Sequence, residues 1–122
     1  MKYRLKGRCQ MCNCPNTNDL YHWEHFVSFK FNEKSTNEQE EHLLQILLSF
    51  RKTIPGIISL TAGFNETKES DRIQGFRLGL RITFKDRQAL DAYATNPEHL
   101  FFINQLTPIF DNAIVVDYPI KR

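Results

Sequence analysis

The chain has no apolar run approaching the roughly 20 residues a helix needs to cross a bilayer, so no membrane partner is expected. Its start, "MKYRLKGRCQ", has basic residues but lacks the apolar stretch of a secretion signal, and a cytoplasmic protein is expected. Net charge is also scarce. Sixteen basic residues against fourteen acidic ones give a formal +2, and the basic residues are dispersed, so no phosphate-binding surface for nucleic acid is implied. Cysteine is limited to Cys9, Cys12 and Cys14, an odd number that cannot close a disulfide framework within the chain. The few glycines, Gly56, Gly63, Gly75 and Gly79 among them, form no phosphate cradle, and no serine sits in a nucleophile elbow.

What is present suits one soluble domain. At 122 residues, 41% hydrophobic and 25% charged, with ten phenylalanines, the chain can bury a sizeable core without a disulfide or metal to hold it. Residues 1–20 differ in character from the rest and are expected to form a cysteine-containing extension in front of a domain at 21–122. Within the extension, "KYRLK" alternates like a short edge strand. "CQMCNC" together with "HWEH" invites comparison with a zinc site of Cys9, Cys12, Cys14 and either His22 or His25. The spacing falls short of a closed site, so no metal is assigned and the cysteines stand as an incidental leader.

From Tyr21, strand alternation places Trp23, His25, Val27, Phe29 and Phe31 on one face and Glu24, Phe26, Ser28 and Lys30 on the other. "STNEQEEHLLQILLSFRKT" changes to helical spacing, with Leu43, Leu47 and Phe50 on one stripe and Ser35 or Thr36 as the cap. Glu38, Glu40 and Glu41 are read as its solvated start, suited to the helix dipole. Pro55 ends that helix. Ile58, Leu60, Ala62 and Phe64 alternate as strand two, and a polar connection leads to strand three with Phe76, Leu78, Leu80, Ile82 and Phe84 inward. Asp86 caps a short helix through Tyr93. Asn96 and Pro97 then begin another, expected to reach about Phe110, before "AIVVDYP" closes the chain as strand four, stopped by Pro119. The order βαββαβ predicts an α+β, ferredoxin-like fold, a four-stranded antiparallel sheet with its helices on one face.

The segments "HFVSFKF", "IPGIISLTAGFN", "GFRLGLRITFKD" and "ALDAYATNPEHLFFINQLTPIFDNAIVVDYP", in this order, resemble the stress-responsive A/B barrel (Dabb) family from about His25 to Pro119. The resemblance implies a homodimer in which two sheets face each other as a dimeric α+β barrel. The uncovered face agrees with this, because Phe26 and Ile57 are expected on it; the alternative is a monomer with one wet sheet face. The resemblance also implies a small-molecule binding or stress-associated module that needs no cofactor. An alternative is an enzyme, a cofactor-independent lyase or an enzyme like the plant polyketide cyclases, using a tyrosine and a histidine placed as Tyr93 and His99 are. The extension before Tyr21 departs from the family pattern, as does Asn96, where a histidine is common.

In that enzymatic reading His99, in the first turn of a helix, is a neutral base and Tyr93 donates a hydrogen bond to a developing oxyanion. In the plainer reading His99 helps cap the helix and Tyr93 packs beneath it with its hydroxyl on backbone. His25 is expected inward, either as a satisfied core histidine or as a pocket-lining group. Phe64 and Phe84 are expected to line a pocket for a small hydrophobic ligand. Asp71, Asp86, Asp111 and Asp117 look scattered rather than paired.

Overall fold

The computed structural model describes residues 20–122. Strand β1 (Tyr21–Phe31) leads to helix α1 (Asn37–Thr53) and strand β2 (Ile57–Phe64). A one-turn helix α2 (Ser70–Ile73), within the polar connection, precedes strand β3 (Phe76–Phe84). Helices α3 (Arg87–Tyr93) and α4 (Pro97–Leu106) follow, then a 3₁₀ turn (Thr107–Ile109) and strand β4 (Phe110–Lys121). The antiparallel sheet has the order β2-β3-β1-β4, which is the ferredoxin-like topology expected. The cysteines and the "KYRLK" segment lie outside the described residues. No described helix is long and apolar enough to cross a membrane.

Local chemistry explains the boundaries. Thr36 is the cap of α1, accepting from the Gln39 amide at 3.1 Å while the Gln39 side chain accepts from the Thr36 amide at 3.0 Å, a closed capping box. Gly56 turns the chain out of α1 at φ +87°, where a Cβ would stand 2.6 Å from the Ala89 Cβ; only glycine fits both demands. The helix α4 ends at Leu106, short of Phe110, because Pro108 has no N–H to extend it. Strand β4 does not stop at Pro119. It is an edge strand, where a missing N–H can face solvent, and it continues to Lys121.

Two sequence assignments are corrected. A β-bulge at Ile57–Ser59 rotates the start of β2, so Ile57 packs against the core and Ile58 is the residue left exposed. Glu40 is buried rather than solvated, and it accepts hydrogen bonds from the Ser35 hydroxyl at 2.6 Å and the Arg77 guanidinium at 2.9 Å.

The core lies between the helices and one sheet face. Leu43, Leu47 and Phe50 of α1 pack with Leu60, Leu78, Leu80 and Ile82, each Leu contributing about 1.5–3 kcal/mol by leaving water. Cover is uneven across the sheet: α1 lies on β2 and α3 on β1, while β4 bonds to β1 and leaves Val115 56% and Phe110 40% exposed. A gap on the helix side of β4 is the consequence.

Candidate functional site

That gap is a cavity of about 460 Å³ between α3, α4 and the helix-side faces of β1 and β4. Its walls are apolar, with Val27, Phe29, Leu80, Leu90, Phe102 and Leu106 among them, and Ile103, Phe110 and Val115 form a rim. The polar groups His25, Asp117, Tyr93 and His99 also face it, as do Arg87 and Asp91, which pair with each other at 2.9 Å. A hollow along α1, edged by Glu38, Glu41 and His42, is open surface with no such convergence.

The joint between α3 and α4 brings Tyr93 and His99 together. Asp86 caps α3 by accepting from the Ala89 amide at 2.8 Å, and Tyr93 is the last residue of that helix. Asn96 caps α4 by accepting from the Glu98 amide at 2.8 Å, with Pro97 at the first helical position and His99 two residues on. The break folds one ring over the other: their centroids are 4.3 Å apart, tilted by 36°. Tyr93 is 4% exposed, with Phe84 at 5.2 Å, His25 at 5.3 Å and Phe50 at 5.9 Å. Its hydroxyl has no hydrogen-bond partner among the described residues, so the backbone bond of the plainer reading is absent there. Burial holds the phenol protonated to well above its ordinary range, keeping it a donor.

His99 is half-buried and lies 3.1 Å, through Nδ1, from the Ala94 carbonyl. A carbonyl only accepts, so in the neutral ring Nδ1 carries the proton and Nε2 carries the lone pair. Burial lowers the His99 pKa below the ordinary histidine value; the Ala94 bond opposes this and the charge of His25 adds to it. The net result is an imidazole that favours the neutral, basic form.

His25 faces the same cavity from β1. Its cross-strand neighbour on β4 is Asp117, and Nδ1 lies 2.6 Å from the Asp117 carboxylate. Asp117 is a site residue that the sequence alone does not mark, because its aspartates look scattered there. Its signal was the period of β4, on which Ala113, Val115 and Asp117 share the helix-side face.

Of the five residues expected at a site, His25, Tyr93 and His99 line the cavity. Phe84 does not; it is fully buried beneath Tyr93 and His25. Phe64 does not either, because β2 is the edge opposite β4. Among the described residues no cluster of three or more metal-binding side chains occurs, and His22 bonds the Lys85 carbonyl at 3.1 Å.

Known proteins with this fold include a hydroxynitrile lyase from Passiflora edulis, 16% identical, with a TM-score of 0.73 over 84% of this chain and 95% of that one. A dimeric ferredoxin-like protein of unknown function from Bacteroides fragilis is 20% identical, with a TM-score of 0.68 over 81% of this chain and 96% of the other. A stress-response A/B barrel domain-containing protein of Arabidopsis thaliana is 26% identical over 100 residues, 80% of this chain and 86% of its own length. The family model of the stress responsive A/B barrel domain matches residues 24–120, nearly all of the described fold, and the chain therefore belongs to that family.

Proposed function

We propose that the cavity binds a small, largely apolar carbonyl compound and that the chain makes or breaks a carbon–carbon bond at its carbonyl carbon. The observation that carries this reading is the convergence of Tyr93 and His99 on a cavity of about 460 Å³, within the size range of small-molecule sites. A base held neutral by burial stands beside a phenol that keeps its proton. This is the pairing needed to move a proton while a neighbouring oxygen changes charge.

In the cleavage direction, the His99 Nε2 takes the hydroxyl proton of a cyanohydrin. The oxygen's electron pair forms the carbonyl as the carbon–carbon bond breaks, and cyanide leaves with that bond's pair and takes up a proton. Tyr93 donates to the oxygen throughout. In an aldol closure the same base takes a proton beside one carbonyl, the resulting enolate carbon bonds to a second carbonyl carbon, and that carbonyl's π pair moves to its oxygen, which accepts from Tyr93 and then takes up the proton from His99. Neither direction changes oxidation state, so neither asks for a redox cofactor. The lyase activity of the Passiflora protein lends the cleavage direction weight.

Mandelonitrile is the test substrate, followed by release of benzaldehyde above the uncatalysed rate. His99→Gln is expected to lower kcat by about 10²–10⁴ and Tyr93→Phe by about 10²–10³. A wild-type protein no faster than buffer would sink the reading. A second reading, a stress-associated binding module without turnover, is favoured by the apolar walls and the family's description. It predicts saturable binding of benzaldehyde with no chemistry.

We also propose that the protein is a homodimer through the open sheet face. Phe26, Ile58, Ile114, Val116 and Tyr118 are exposed there, and the likeness to proteins described as dimeric supports a second copy as their cover. A monomeric mass by light scattering at micromolar concentration would count against it.

A further inference from the structure

The proposed reaction takes one proton from the substrate and returns another, and His99 accounts for only the first. We propose that His25, held through Nδ1 by the Asp117 carboxylate, supplies the second proton, with Asp117 as its positioning residue. This inference rests on the carbon–carbon reading above.

The pair is built into the sheet. His25 and Asp117 are direct cross-strand neighbours on the helix-side face, so the register of β1 against β4 brings the carboxylate to the ring without any loop. Nδ1 and the carboxylate oxygen are 2.6 Å apart, a close hydrogen bond, and the His25 side chain is 12% exposed. A carboxylate can only accept, so Nδ1 is the bonded nitrogen and Nε2 is the one left free on a ring that lines the cavity.

Tyr93 of α3 lies edge-on to His25 and is neutral, and Arg87 and Asp91 of the same helix neutralise each other. His99 of α4 has its pKa lowered partly by the charge of His25. His99, through its free Nε2, and His25, through its own, thus face the same substrate as the base and the donor. As the carbon–carbon bond breaks, His99 takes the hydroxyl proton. The departing carbon takes its electron pair and the Nε2 proton of His25. His25 ends neutral and still bonded to Asp117, and water in the open cavity carries the proton from His99 back.

The test is the pH dependence of mandelonitrile cleavage, with the uncatalysed rate subtracted, for wild type, Asp117→Asn and His25→Gln. Asp117→Asn is expected to leave KM nearly unchanged, lower kcat by about tenfold or more, and move the alkaline limb of the profile to lower pH. The sign follows because an imidazolium without its carboxylate gives up its proton more readily. His25→Gln is expected to remove that limb and lower kcat by about 10²-fold or more. Asp117→Glu is expected to restore part of the wild-type profile. An active wild type whose alkaline limb is unmoved in Asp117→Asn and still present in His25→Gln would overturn the donor role alone. An inactive wild type would overturn the carbon–carbon reading and the donor role with it.

Discussion

Replacing Tyr93 by Phe separates catalysis from structure, because the two are expected to respond in opposite directions. The ring is 4% exposed and meets Phe84, His25, Phe50 and His99, contacts that Phe keeps in full. The change therefore opens no packing defect. The hydroxyl has no bonding partner among the described residues, and withdrawing such a group from water costs about 1–3 kcal/mol by mutational measure. It nevertheless faces a cavity open to water, so only part of that cost is borne. Tyr93→Phe is thus expected to leave stability unchanged or raise it by up to about 1 kcal/mol, a rise in Tm of up to about 4–5 °C for a domain of this size. Over the same change kcat toward mandelonitrile is expected to fall by about 10²–10³, or about 2.7–4 kcal/mol of transition-state stabilisation. Thermal unfolding followed by circular dichroism, beside the rate assay, reads both. A loss of more than about 1 kcal/mol in stability would refute the reasoning, because it would mean that the hydroxyl holds the fold through a bond it does not have here.

Stability should also depend on pH through the two groups whose titration is displaced. The depressed pKa of His99 means the unfolded chain binds its proton more readily, so this contribution is complete above the unfolded value of about 6.5 and is lost as pH falls through the folded one. Urea midpoints should accordingly fall further in wild type than in His99→Gln on acidification. The Tyr93 contribution has the opposite sense, present below the unfolded value of about 10 and lost as pH rises beyond it, so Tyr93→Phe should resist alkaline unfolding better. Leu47→Ala, at a fully buried position, should cost about 2–5 kcal/mol in urea denaturation. Gly56→Ala should cost about 2–4 kcal/mol through its positive φ and its collision with Ala89, whereas Gly63→Ala, with open space around it, should be close to neutral.

The parts legible in the sequence were those governed by a single local rule. Strands β1 and β3 announce themselves by strict alternation, α1 by its Leu43, Leu47 and Phe50 stripe, and the α3–α4 joint by Asp86, Asn96 and Pro97. What failed needed information from across the sheet. The bulge that exchanges Ile57 and Ile58 is a mismatch against β3, invisible in the alternation of β2 alone. Glu40 looked like a solvated helix start until Arg77, on a strand far along the chain, came within 2.9 Å. Pro119 reads as a stop unless β4 is known to be an edge. Asp117 is the instructive case, since both its face and its period were available, but its partner His25 is fixed only by the β1–β4 register.

The site follows from one departure from regularity in the fold. A single unbroken helix after β3 would bury its apolar stripe along the sheet much as α1 does over β2, and it would leave no reason for a cavity. The chain breaks at Asn96 and Pro97 instead, and the break has two effects. It places a residue at the end of one helix against a residue in the first turn of the next, which is how Tyr93 and His99 come to lie with ring centroids 4.3 Å apart. It also leaves β4 without a helix over it, so that Val115 and Phe110 flank an opening while Asp117 can reach His25. The exposed apolar rim and the neutral base thus share one origin. The imidazole is half-buried because the helix start folds it under the joint, and that burial lowers its pKa while the neighbouring gap gives a substrate access to it.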